Sequence, residues 1–125
     1  MITIATSTPI FLCLPPTDMR KSFDGLVGVV QQALGEEPLS GSLFVFINKR
    51  RDRIKILQWH PDGFELWYKR LEEGTYQDLP PLVDSNGEPL TGLELTSQEL
   101  SLLLAGIDLK VRRRKRYRRE LEANR

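Results

Sequence analysis

The chain has 125 residues, 40% of them hydrophobic and 28% charged, with a formal net charge of +1, one cysteine and one histidine. That length suits a single domain with a core of its own, Cys13 has no partner for an internal disulfide, and Cys13 with His60 falls short of any ordinary zinc set. No run of about 18 apolar residues is present to cross a bilayer, and the opening MITIATSTPIFLCL lacks the basic start and cleavage site of a signal peptide, so no membrane association and a cytoplasmic location are expected.

The first apolar run, Ile10-Phe11-Leu12-Cys13-Leu14, buries Cys13 as an inert thiol and ends at Pro15-Pro16. Thr17 then stands as a helix N-cap, with Asp18 in the first turn facing the positive end of the dipole. Met19, Phe23, Leu26, Val27, Val30 and Leu34 recur at steps of three and four, which predicts an amphipathic helix of about sixteen residues. Gly25 and Gly28 each weaken it by roughly 1 kcal/mol relative to alanine and suggest the close approach of another backbone. Gly35 is its C-terminal cap, and Pro38 blocks continuation. On such a helix Asp18 and Asp24 point about 240° apart, so they do not converge on one metal, while Asp24 is placed to pair with Arg20 or Lys21 across a turn.

From Leu43 the period changes. Leu43 to Ile47, Ile54 to Trp59 and Phe64 to Lys69 are rich in β-branched and aromatic residues and read as strands, joined by a basic turn at 48–53 and by His60-Pro61-Asp62-Gly63. His60 in that turn is a turn residue before it is a general base. A fourth short strand is expected from Thr75 to Leu79, completing an antiparallel β-meander of three to four strands. Packing the N-terminal amphipathic helix across it gives a two-layer α+β domain over residues 1–109. Residues 80–92, with three prolines, read as an irregular loop. Thr96-Ser97-Gln98-Glu99 fits a capping box, followed by Leu100, Leu103, Leu104 and Ile107 on one face of a second short helix.

The remaining stretch, 110–125, is a basic C-terminal tail. Residues 1–109 hold nine Lys and Arg against fifteen Asp and Glu, whereas 110–125 hold nine against two, so an acidic body carries a basic appendage. Eight cations fall between Lys110 and Arg119, six of them arginines whose forks match phosphate oxygens. Such density calls for an anionic partner, and Arg112, Arg113, Arg114, Lys115, Arg116, Arg118 and Arg119 are the candidate nucleic-acid contacts, with Tyr117 as a stacking ring among them. A solubilising appendage, or a tail packed on the acidic body of a neighbouring copy, are the competing readings. The hairpin turn supplies a second cluster, Lys49 with Arg50, Arg51 and Arg53, followed by Lys55. The aromatics Phe44, Phe46, Trp59, Trp67 and Tyr68 form either a base-stacking platform or, as strand aromatics more often do, core. No nucleophile motif and no glycine-rich phosphate loop is present, so no catalytic residue, metal site or cofactor is assigned and no enzymatic activity is expected.

Several ordered stretches add a resemblance. Thr17-Asp18-Met19-Arg20-Lys21 with Phe23-Asp24-Gly25-Leu26, Pro38-Leu39-Ser40-Gly41 before Leu43-Phe44-Val45-Phe46, Asp52-Arg53-Ile54-Lys55 leading to Trp59, Lys69 to Gly74, and Glu99 to Asp108 together resemble a family of bacterial insertion-sequence proteins. The family is that of the second open-reading-frame products, TnpB, of IS66-type elements, and the resemblance spans about residues 8 to 109. It implies an accessory role in DNA transposition beside a larger transposase that carries the cutting chemistry, with no catalytic residues to transfer. The leading expectation is therefore a non-enzymatic accessory protein whose tail and hairpin bind DNA phosphates while the acidic body docks the transposase or a second copy in a homo-oligomer. The alternative is a pure protein–protein adaptor that recognises the transposase without touching DNA. Arg20, Lys21 and Asp24 are the candidate partner-binding residues in either case.

Overall fold

The computed structural model describes residues 5 and 7–106. Among these residues the chain forms a five-stranded mixed sheet with two α-helices: β1 (Ile10–Cys13), α1 (Phe23–Val29), β2 (Leu43–Ile47), β3 (Arg53–Trp59), β4 (Phe64–Arg70), β5 (Gly92–Leu95) and α2 (Ser97–Leu104). The strand order is β4-β3-β2-β1-β5. The expected α+β class and the antiparallel β2-β3-β4 meander are present, with Val45 opposite Ile56 and Ile56 opposite Trp67.

The sheet is larger than the meander. The first apolar run is itself a strand, parallel to β2, with Ile10 opposite Leu43 and Leu12 opposite Val45. A parallel pair needs a crossover, and the segment carrying α1 supplies it. The fourth strand lies not at Thr75 to Leu79 but at β5, antiparallel to β1, with Phe11 opposite Glu94. Segment 75–79 is held differently: the Tyr76 amide donates to the Arg51 carbonyl at 2.7 Å, and the Tyr76 and Gln77 carbonyls accept from the Arg51 side chain. Three of its backbone groups are thus paired with one arginine instead of a ladder.

The N-terminal helix also differs from its expected extent. It begins at Phe23 and turns π-helical over Val30–Leu34, ending at Gly35 in the left-handed conformation, as a C-terminal cap requires. Thr17 is not its N-cap. The Thr17 amide donates to the Ile47 carbonyl at 2.9 Å and the residue is buried, while Asp18 folds back on Arg20. Local side-chain bonding of that kind competes with helix initiation. The expected backbone approach at the glycines is likewise absent: a Cβ at Gly28 would meet nothing within 4 Å, and one at Gly25 would meet the Lys21 side chain.

Both faces of the sheet are covered. Cross-strand register places Phe46, Lys55 and Tyr68 on one face, and Ile47, Ile54 and Lys69 on the other, with the rows alternating from there. On the first face, Leu26 and Val30 of the helical segment pack with Cys13, Phe44, Phe46 and Leu57. On the second, Tyr76 and the α2 residues Leu100 and Leu103 pack with Ile10, Leu43, Val45, Ile54 and Ile56. Strand β2, between β1 and β3, is buried along its whole length, which explains its unbroken apolar sequence. Phe44 and Phe46 are thus core. The α2 capping box is present: Thr96 Oγ1 accepts from the Glu99 amide at 3.0 Å, and Glu99 Oε1 accepts from the Thr96 amide at 2.9 Å. The basic tail expected over 110–125, and the end of the domain at 109, lie outside the described residues.

Candidate functional site

The bond between Thr17 and Ile47 brings two distant parts of the sequence together. One is the loop 17–22 that precedes α1, and the other is the β2–β3 hairpin tip. Between them runs an open groove of about 530 Å³, lined by residues 16–20 on one side and by Asn48, Lys49, Arg50, Asp52 and Arg53 on the other. Four of the lining side chains are cations and two are acids, so the groove is net positive on a body that is acidic overall.

Each wall is built by bonds that leave its rim side chains outward. In the hairpin, Asn48 Oδ1 accepts from the amides of Asp52 (3.1 Å) and Arg53 (2.9 Å), and Asn48 Nδ2 donates to Asp52 Oδ1 at 2.7 Å. Lys49 and Arg50 are exposed and enter no ion pair among the described residues. In the other wall Asp18 Oδ1 accepts from the Arg20 amide at 2.9 Å, and its carboxylate receives the Arg20 guanidinium at 2.6 to 3.1 Å. This fork holds the Asp18 carboxyl down at about 2, although both groups are in water. The Arg20 side chain is 92% exposed.

Lys55 fixes the loop to the sheet. It is buried, and its ammonium donates to the carbonyls of Met19 (2.8 Å) and Lys21 (2.7 Å) while lying 4.7 Å from the centre of the Tyr68 ring. Read from the sequence, Lys55 is one more cation beside the hairpin; the structure makes it the internal strut of the loop. The signal was there, since Lys55 alternates with Ile54 and Ile56 in a strand whose next residue on the same face, Leu57, is core.

The sequence-predicted residues divide accordingly. Arg20, Arg50 and Arg53 meet at the groove. Arg51 turns away: at a positive φ of 60°, its guanidinium is half-buried and serves the Tyr76 and Gln77 carbonyls, with Asp78 at 3.7 Å, and burial lowers its pKa. Lys21 is exposed, with its carbonyl taken by Lys55. Asp24 is exposed in the first turn of α1 and pairs with neither Arg20 nor Lys21 among the described residues; Arg20 pairs with Asp18 instead. The seven cations from Arg112 to Arg119 lie outside the described residues. Cys13 is buried, with its thiol donating to the Pro15 carbonyl at 3.7 Å, and burial pushes its pKa up. Among the described residues no three His, Cys, Asp or Glu side chains cluster as metal ligands, and no helix is long and apolar enough to cross a membrane.

The loop that lines this groove contains the Thr17-Asp18-Met19-Arg20-Lys21 stretch of the resemblance, and comparison with known proteins bears that resemblance out over most of the chain. The family model described as IS66 Orf2 like protein matches residues 8–114. An uncharacterised protein of Sinorhizobium fredii, y4jC, is 37% identical over 99 residues, covering 79% of each chain. A second from the same organism, y4hO, is 30% identical over 108 residues, covering 86% of this chain and 88% of its own. No solved structure matches the chain. With the family model matched over residues 8–114 and both relatives covered over more than two thirds, the chain belongs to the IS66 Orf2-like family, the accessory proteins of a bacterial insertion sequence.

Proposed function

We propose that the protein is a non-enzymatic accessory factor of transposition that binds the DNA phosphate backbone and works beside the larger transposase of its element. The observation that carries this reading is the convergence of Arg20, Arg50 and Arg53 on one net-positive groove, with Lys49 on its rim. Arginine forks suit phosphate oxygens, and Lys49 and Arg50 are not engaged in ion pairs among the described residues. The cations of 110–125 supply a second hold by charge alone. Phosphate contacts position a protein without reading bases, so this surface confers affinity for DNA in general. The acidic remainder of the body is the surface for the transposase or for a second copy.

Duplex binding measured at two salt concentrations tests this reading on the full chain, on a chain ending at Leu109, and on the Lys49→Ala, Arg50→Ala double variant. The slope of log affinity against log salt should fall by about 0.9 for each phosphate no longer neutralised, in both altered proteins. Equal affinity and equal slope in all three would overturn it.

The adaptor reading draws on a different observation. Arg20 is already neutralised by Asp18, so that wall of the groove offers a fixed ion pair as well as free charge. Capture of the transposase in the absence of DNA, lost in Arg20→Ala and Lys21→Ala but kept in the chain ending at Leu109, would favour it.

A further inference from the structure

Beside the groove, the sheet face that carries α1 ends in an aromatic ring set among cations. Register places Arg53 opposite Arg70, with Lys55 opposite Tyr68, so all four share one face at the β3–β4 end of the sheet. Tyr68 is 47% exposed, on edge strand β4. Its hydroxyl accepts from Arg53 Nη1 at 3.1 Å, and the Lys55 ammonium lies over its ring. Arg70 is paired with Glu72 at 2.8 Å. Arg53 belongs to this patch and to the groove at once, so the ring adjoins the surface that carries Lys49, Arg50 and Arg20.

The other aromatics of these strands are spent elsewhere. Phe44 and Phe46 are core, Trp59 meets Phe64 edge-on at 5.1 Å, and Trp67 packs on the opposite face. Tyr68 alone among them is both exposed and held by cations. An exposed ring gains by covering a flat apolar surface, and cations around it gain by meeting phosphates. A nucleotide offers both. Within a duplex each base is covered by its neighbours, so only an unpaired base can lie on the ring.

We propose that Tyr68 is a base-stacking site for single-stranded nucleic acid, with Arg53 and Arg70 beside it and the groove cations taking the adjoining phosphates. This rests on the reading that the groove binds phosphate backbone. An acidic peptide would satisfy the cations without using the ring.

The test measures binding of the full chain to short oligothymidine, to a fully abasic oligonucleotide of the same length, and to a duplex. Tyr68→Leu and Tyr68→Phe are compared with the unaltered chain, with thermal melting as the control for folding. Oligothymidine should bind more tightly than the abasic strand. Tyr68→Leu should weaken oligothymidine about 5- to 150-fold, the range for one base on one ring, and leave the duplex and the abasic strand unchanged. Tyr68→Phe, which keeps the ring and loses the Arg53 bond, should stay close to the unaltered chain. If Tyr68→Leu binds oligothymidine as tightly as the unaltered chain while duplex binding persists, stacking is overturned and the phosphate reading stands. If oligothymidine and the abasic strand bind alike, and polyglutamate displaces both, the patch is a site for acidic peptide and the proposal fails. If no nucleic acid binds, both readings fall together.

Discussion

The ammonium of Lys55 donates to the carbonyl of Lys21 across 2.7 Å, joining the centre of one strand to a loop thirty-four positions earlier. A second donation, to the Met19 carbonyl, completes the hold. Removing the ammonium strands two carbonyls at once, so Lys55→Met should destabilise the protein by about 1.5 to 3 kcal/mol, as losses of bonds to charged groups do. Urea unfolding gives the number. Hydrogen exchange gives the place: protection should fall first at Lys21, whose amide bonds to Asp18. A stability change below about 0.5 kcal/mol would show that the loop is held by something else.

Arg50 and Arg51 are neighbours with opposite duties. Arg51→Lys keeps the charge but loses the fork that serves two carbonyls, and should cost about 1 to 3 kcal/mol with loss of protection around Tyr76. Arg50→Ala, on an exposed side chain, should change stability by no more than about 0.5 kcal/mol. DNA affinity should show the reverse order when both variants are measured well below their melting temperatures. An equal drop in affinity in the two at matched folded fraction would place Arg51 on the binding surface after all.

Asp18 gives a pH marker for the motif loop. Its carboxyl is lowered from 3.8 to about 2, first by the Arg20 side chain and then by the Arg20 amide. A depressed carboxylate contributes stability that is present above its unfolded value and lost as pH falls through the folded one. The contribution should therefore disappear between about pH 4 and pH 2, and it should be small because both groups are exposed. Carbon-detected titration of Asp18 should find its midpoint near 2, rising towards 3.8 in Arg20→Ala. An unchanged midpoint in that variant would mean that the fork is not formed in solution.

The capping box of α2 can be tested alone. Thr96→Ala removes the acceptor for the Glu99 amide and should cost about 1 kcal/mol in thermal or urea unfolding. Thr96→Ser should recover most of it. If alanine is tolerated without loss, α2 is held by the packing of Leu100 and Leu103 and not by its cap.

Legibility in the sequence followed the range of the forces involved. Strands β2, β3 and β4 were readable because β2 and β3 carry β-branched and aromatic residues, β4 carries three aromatics, and short polar turns join them in sequence. So was the α2 cap, which is four residues of local chemistry. Strand β1 was not, because the short run from Ile10 has no period of its own and its partners, β2 and β5, arrive some thirty and eighty residues later. The start of α1 misled for a related reason. Thr17 and Asp18 are good cap residues, but a strand end thirty residues away claims the Thr17 amide and Arg20 claims Asp18. At the candidate site, arginine content pointed to the hairpin, three of whose cations line the groove. Nothing local distinguished Arg51, which braces the fold, from Arg50, which does not, and nothing local joined Arg20 to either.

The Thr17–Ile47 bond bears on the thermodynamics of association. Both walls of the groove are tied to the β2–β3 hairpin: the motif loop to the end of β2 through Thr17 and to β3 through Lys55, and the hairpin tip to itself through the Asn48 network. The walls therefore keep their separation whether or not anything lies between them. Binding there has little backbone to order, and its entropic cost falls on the long rim side chains of Lys49 and Arg50 and on the ligand itself. Such a groove selects among ligands by their shape and stiffness as much as by their charge.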